Sequence, residues 1–172
     1  FTPQEWSLDA YRYLWNNREM IGRALLVTIV VTVGGTVLGL FLTTTMGYCL
    51  SRPNFKLKGF LTWVVFIPMI FSGGLVATYN VYTTVLHINN SLWVLILPMA
   101  VSSFNVVICK TFFRTTVPDS IIESAKIDGA PQLQIFFQIV LPISLPVLAT
   151  IGLFLTFAYW NDWWLSLMFI ND

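Results

Sequence analysis

Between Ile122 and Pro142 the sequence runs ESAKIDGAPQLQIFFQIVLP from Glu123 onward, setting Glu123, Lys126 and Asp128 ahead of a Gly turn and placing the whole run between two strongly apolar stretches. Charges and an amphipathic segment so placed suit recognition, a surface on which a partner docks, rather than bond-making chemistry. Catalytic constellations are not evident. The single His, His87, has no His-Glu motif beside it, which argues against a metalloprotease buried in the apolar runs. A serine or aspartyl hydrolase there would need a nucleophile or an acid dyad among apolar residues, and neither is evident. Cys49 and Cys109 lie in apolar runs without metal-type spacing and read as small buried hydrophobes. No catalytic, metal or cofactor site is expected.

The elements that must position this run follow from composition. Hydrophobic residues make up 56% and charged residues 10% of the 172-residue chain, against roughly a quarter charged in soluble domains, and the mean hydropathy is +0.75. A bilayer is the expected surroundings and lipid an expected contact. The net charge of +1 gives no reason to expect nucleic acid.

About 20 apolar residues cross the hydrocarbon core as a helix, which pairs every backbone group internally. Uncharged runs extend from Ala24 to Ser51, from Gly59 to Cys109 with a natural turn at His87-Ile88-Asn89-Asn90-Ser91, and from Gly129 to Asn161. The last carries Gln132, Gln134 and Gln138 in its first part, which looks interfacial. These runs predict an all-α, polytopic transmembrane helix bundle in one domain, with four crossings near 24–51, 60–86, 91–110 and 142–161. Arg52, Lys56 and Lys58 fill one connector, and Lys110, Arg114 and Lys126 another, while the His87 turn has neither Lys nor Arg. By the positive-inside rule the charged connectors are cytoplasmic, and the His87 turn and residues 1–23 lie outside. In that external segment Arg12, Arg18 and Arg23 are offset by Glu5, Asp9 and Glu19, and His87 reads as a solvated surface residue. The start at Phe1 and the stop just after the apolar stretch Trp163 to Ile170 read as those of a fragment, with further crossings expected at one or both ends.

Gly35, Gly39, Thr43 and Gly47 recur every four residues and share a helix face where a neighbour can approach closely. Generic bundle packing and a specific or moving interface both fit that stripe. Pro68, Gly73-Gly74 and Pro98 weaken regular helix, as plain kinks or as irregular backbone lining a transport path. In the second connector Pro118 suits a first helical turn with Thr115 or Thr116 as cap. Ile121, Ile122 and Ala125 would then share one face, and Asp119, Glu123 and Lys126 the other. Asp128-Gly129 has turn chemistry, and Pro131 opens a second helix with an apolar stripe of Leu133, Phe136, Phe137 and Val140. Pro142 is expected to start the next crossing.

Glu123, Ser124, Ala125, Gly129, Ile139, Leu141 and Pro142 stand at spacings that resemble the EAA loop of ATP-binding-cassette importer permeases. Asp128, Ala130 and Phe136 are similar to the extended form shared by sugar permeases, and Ser124 departs from the pattern's usual Ala. The stretches Tyr159 to Trp164 and Phe169 to Asp172, and the N-terminal Trp6 to Trp15, further resemble the carbohydrate branch that contains the second maltose permease. The resemblance implies the importer permease fold, with four crossings of an expected six, in a bacterial-type cytoplasmic membrane. It also implies a cytoplasmic ATPase, a second permease subunit, an extracytoplasmic solute-binding protein and a sugar substrate as partners. Residues 114–141 would form the cytoplasmic coupling loop, with Glu123 facing the ATPase, Ala125 allowing close approach and Gly129 permitting the turn. ATP chemistry would belong to the partner, and no Walker-type phosphate loop is found in the chain.

At the other end Trp160, Asn161 and Asp162, with Trp163 and Trp164, combine flat aromatic faces with polar groups able to bond hydroxyls, which suits a sugar path. For Trp163 and Trp164 a membrane-interface aromatic belt is the competing reading. The rival functions are an ion-coupled secondary transporter and an importer permease for a non-sugar solute. An ion-coupled carrier usually places acids, Lys or His in mid-span, whereas the charges here fall at span ends and in connectors.

Overall fold

The computed structural model describes residues 8–170; Glu5, Trp6, Asn171 and Asp172, which entered the charge count and the resemblance, lie outside them. Helix α1 (Asp9–Asn16) leads through Asn17 into α2 (Arg18–Ser51), whose 34 residues extend about 51 Å at 1.5 Å per residue. Among the described residues α2 is the helix long and apolar enough to cross a membrane alone. The long helix already begins at Arg18, inside the segment expected to lie outside. Leu25, Leu26, Ile29, Val30, Val33, Val37 and Phe41 remain exposed along it, a surface suited to lipid or to another apolar helix.

The predicted crossing at 60–86 is not one continuous rod. Helix α3 (Lys58–Ile70) stops two residues after Pro68, which lacks an N–H and crowds the carbonyl one turn back. The chain unwinds until Gly74, at φ +75°, and α4 (Gly74–Asn80) then runs into a wider π-type turn over Val81–Val85. With 13 residues, α3 spans only about 20 Å, short of a hydrocarbon core of ~30 Å.

Proline shapes the next crossing as well. Helix α5 (Leu92–Ala100) contains Pro98, and across Val101 and Ser102 the chain bends by 47° into α6 (Ser103–Thr116). Helix therefore continues beyond the predicted end at 110 and into the predicted loop 114–141. Thr115 does not cap the next helix, because its hydroxyl donates to the Thr111 and Phe112 carbonyls of its own helix (3.0 and 3.2 Å). Thr116 likewise belongs to α6. Pro118 is the residue before α7 (Asp119–Ile127) and not part of its first turn, holding an extended ψ of 137°.

Pro142 does not start the last crossing. It belongs to a helical segment built from α8 (Gln132–Ile135), a π-type turn (Phe136–Val140) and α9 (Leu141–Ile143). The chain then turns by 83° at buried Ser144 into α10 (Leu145–Trp160). Pro146 lies in the first turn of α10, where its missing N–H costs no helical bond. Helix α11 (Trp164–Phe169) follows. The expected four crossings thus become one helix of crossing length and two bent pairs of matching composition, with 60–86 in shorter pieces.

Helix α2 forms the axis of the bundle, packed against α5, α6 and α10. Its buried face includes Val31, Gly35, Gly39, Thr43, Gly47 and Ser51, every fourth residue, and the buried face of α10 repeats at the same interval as Val147, Ile151, Leu155 and Tyr159. Rows spaced by four form the ridges that interlock when helices pack, and the small residues of α2 make the grooves. A Cβ added at Gly35 would lie 2.5 Å from the Tyr159 ring, one at Gly39 2.8 Å from the Ala100 carbonyl oxygen, and one at Gly47 2.5 Å from Cys109 Cβ. The stripe is therefore a packing seam. Tyr159 is tied further, its hydroxyl donating to the Ile96 carbonyl (2.7 Å), while the Thr36 and Thr156 hydroxyls meet at 3.3 Å between α2 and α10.

Gly47→Val is expected to destabilise the helix bundle by about 1–3 kcal/mol, the usual cost of overpacking, because the clash falls on Cys109 Cβ and, at 3.2 Å, on the Lys110 backbone nitrogen. Thermal unfolding in detergent checks this, and Gly22→Val, with open space around its Cβ, serves as the control.

Candidate functional site

The 119–143 region folds into a helix, a sharp turn and a second helix. Asp119 opens α7 and Lys126 sits in its last turn, each where the helix dipole favours its sign. The helix ends in a Schellman arrangement: the Ala130 N–H donates to the Ala125 carbonyl (3.0 Å) and the Gly129 N–H to that of Lys126 (3.1 Å). Gly129 sits at φ +80°, in the left-handed region that side chains with a Cβ resist. The expected Gly turn is present.

The loop residues sort into two faces. Ala125 and Phe136 are buried, and Ala130, Ile139 and Leu141 pack partly buried against the same core. Glu123, Ser124, Asp128, Gly129 and Pro142 are exposed. The Ser124 hydroxyl donates to the Ser120 carbonyl (2.9 Å). Among the described residues the Glu123 carboxylate has no hydrogen-bond or ion-pair partner.

Two burial expectations need correction. Ile121 does not share the buried face of Ile122 and Ala125 but is exposed, and Leu133 and Phe137 lie outside the stripe that buries Phe136 and Val140. Ile135 takes the inward place instead. The exposed face of the loop consequently carries Ile121, Ile127, Leu133 and Phe137, with Ile127 86% exposed at the end of α7.

Charge counting treats Arg52 as one more connector cation, and it does not single out Tyr48 or Gln132. Arg52 follows the last residue of α2, and its guanidinium donates from Nη1 to Asp119 Oδ1 (2.7 Å), from Nη2 to the Phe113 carbonyl (3.1 Å) and from Nε to Ser51 Oγ (3.1 Å). It also lies over the Tyr48 ring at 5.1 Å. Gln132 Nε2 donates to the Tyr48 hydroxyl (2.6 Å), and the Tyr48 ring meets Phe136 at 5.0 Å. A cleft of about 300 Å³ opens here, lined by Arg52, Asn54, Glu123, Lys126 and Gln132 among others.

The aromatic candidates lie at the far end of α10, whose 16 residues separate them from Ser144 by about 24 Å. Trp160 and Asn161 are exposed; the Asn161 amide donates back to the Phe157 carbonyl (2.9 Å). Asp162 is half-buried, with Oδ1 3.5 Å from the Leu165 N–H in the first turn of α11. Trp163 and Trp164 form an exposed edge-to-face pair at 5.5 Å. Nearby, the His87 turn takes positive φ at His87 and Asn90, and the Asn90 N–H donates to the Phe169 carbonyl (3.0 Å), joining that turn to α11. An open groove of about 530 Å³ beside the α5–α6 break is lined by Pro98, Ser102, Phe104, Asn105, Phe154 and Ala158 among others. Its signal in the sequence is Pro98 alone.

Comparison with known proteins matches residues 35–170 to the family described as binding-protein-dependent transport system inner membrane component. The polygalacturonan/rhamnogalacturonan transport system permease protein YtcP of Bacillus subtilis (strain 168) is 45% identical over 170 residues, covering 99% of this chain and 58% of that protein. Protein LplC of the same organism is 42% identical, covering 99% of this chain and 57% of its own length. Among solved structures, a bacterial ABC transporter involved in the import of the acidic polysaccharide alginate superposes with a TM-score of 0.80 at 25% identity, over 86% of this chain and 52% of that one. The chain thus spans a little over half the length of these relatives. With a bundle of apolar helices around α2 and a helix–turn–helix loop at one end of it, the chain belongs to the family of binding-protein-dependent transport system inner membrane components.

Proposed function

We propose that the chain forms part of the membrane-spanning permease subunit of an ATP-driven importer for a sugar or oligosaccharide. The observation that carries this reading is the exposed side of the 119–143 loop, where Ile127 stays open to solvent one turn after Glu123 on α7, and Leu133 and Phe137 are exposed on the second helix. Exposed apolar side chains along α2 have lipid to meet, but Ile127, at the end of the charged helix α7, is placed to meet a protein surface. The fitting partner is a cytoplasmic ATPase that receives α7. An extracytoplasmic binding protein, which the family description supports, and a second permease subunit complete the proposed assembly. The substrate path runs past the outer end of α10, with Trp160 and Asn161 as the exposed contacts. Asp162, whose carboxylate meets the Leu165 backbone nitrogen at 3.5 Å, is an acid at the same end. Oligosaccharides containing uronic acids are the first substrates to try, because one compared transporter is involved in the import of the acidic polysaccharide alginate and another protein is named for polygalacturonan and rhamnogalacturonan.

The test is purification of the full-length permease from native membranes in mild detergent, followed by reconstitution with whatever copurifies. An ATPase is expected in the complex, and uptake into vesicles is expected to need ATP and to persist with a proton uncoupler. Uncoupler-sensitive uptake with no ATPase present would replace this reading with an ion-coupled carrier.

A further inference from the structure

We infer that Arg52 is a positioning residue that locks the docking helix α7 to the central helix α2, so that force applied to the loop reaches the bundle. This rests on the proposed docking of an ATPase at α7 and goes beyond it, because it concerns what happens after docking. By backbone alone α7 is held to the bundle on its N-terminal side through Val117 and Pro118, both extended (ψ 102° and 137°). Such a joint by itself lets a pushed helix swing, and against that stand the packing of Ile122 and Ala125 in the core and a polar tie. The Arg52 fork bridges that joint: one guanidinium grips the first residue of α7 through Asp119, the end of α6 through the Phe113 carbonyl, and the end of its own helix through Ser51. Its side chain is 13% exposed, whereas that of Asp119 is 67% exposed, so the cation is fixed by the bundle and the acid is the movable end. Tyr48, under the guanidinium, repeats the arrangement on the second arm of the loop through the Gln132 amide and the Phe136 ring. Both arms therefore meet the last turn of α2, the helix against which α5, α6 and α10 all pack.

Three acceptors met by three guanidinium nitrogens demand the planar fork of Arg. A Lys ammonium keeps the charge, and with it the membrane orientation, but as a point donor on a flexible stem it cannot reproduce that grip. Arg52→Lys in the full-length permease, assembled with its partner subunits in proteoliposomes, is therefore the informative variant. Substrate moved per ATP hydrolysed is expected to fall tenfold or more, while the amount of copurifying ATPase and the thermal midpoint in detergent stay near wild type. Asp119→Asn should move the same ratio in the same direction. Combining Arg52→Glu with Asp119→Arg should recover part of what Arg52→Glu alone loses. The lock is overturned if Arg52→Lys keeps the wild-type ratio, if ATPase or thermal stability is lost in proportion to transport, or if the exchanged pair is no better than the single variant. A wild-type complex without ATPase would instead overturn the docking reading itself, and the lock with it.

Discussion

Gly129→Val is expected to abolish substrate uptake by the assembled transporter while the permease still inserts into the membrane. The cause lies in the backbone, since a Cβ at this position would meet nothing within 4 Å but would have to exist at φ +80°. A left-handed residue with a Cβ costs roughly 1–2 kcal/mol, and a β-branched one resists it more. The Schellman bonds that close α7 onto Ala130 depend on that geometry. Relieving the strain unwinds the last turn of α7 and redirects Ile127 and Asp128 away from the proposed docking surface. Asn tolerates the left-handed region better than other residues with a Cβ, so Gly129→Asn should retain much of the activity and Gly129→Ala should fall between. Uptake into vesicles together with the amount of permease in the membrane fraction measures both halves, and normal uptake in the valine variant would refute the expectation.

The second large effect is expected at Glu123. Its carboxylate stands on the exposed face of α7 with no partner among the described residues, one turn before Lys126 and exposed Ile127. Glu123→Lys reverses the charge there and sets two cations at a spacing of three on one helix, where they repel. The docking surface would then oppose its partner electrostatically, and copurifying ATPase should drop tenfold or more, most sharply at low ionic strength, where screening is weakest. Glu123→Gln, which removes the charge without reversing it, should lose less. Sugar affinity of the isolated binding protein, measured by titration, should not change. Equal ATPase recovery in the lysine variant would remove Glu123 from the docking surface.

The long helix α2, the glycine seam, the His87 turn and the Gly129 turn are legible in the sequence because each depends on local rules: an uncharged run, a four-residue spacing, a turn composition. The breaks after Pro68 and near Pro98 are legible as weaknesses, though not as a 47° bend or as separate helices, since how far a kink opens depends on the neighbours. The Arg52–Asp119 pair joins residues 67 positions apart, beyond any local pattern, and charge counting treats a cation as solvated. Burial in the second loop helix escapes the sequence for another reason. Leu133, Ile135, Phe136, Phe137, Ile139 and Val140 are apolar nearly all around, so composition cannot say which side turns inward; the contacts of Phe136 and Gln132 with Tyr48 decide it.

The 83° corner at Ser144 makes residues 132–143 and α10 into a crank. Its arm is about 18 Å long at 1.5 Å per residue. A push of about 3 Å across the tip of such an arm turns the shaft about its own axis by roughly 10°, and side chains some 5 Å from that axis travel only ~1 Å. Because Gln132 and Phe136 on that arm are held to Tyr48 of α2, such a twist would be shared with α2 rather than turning α10 against it.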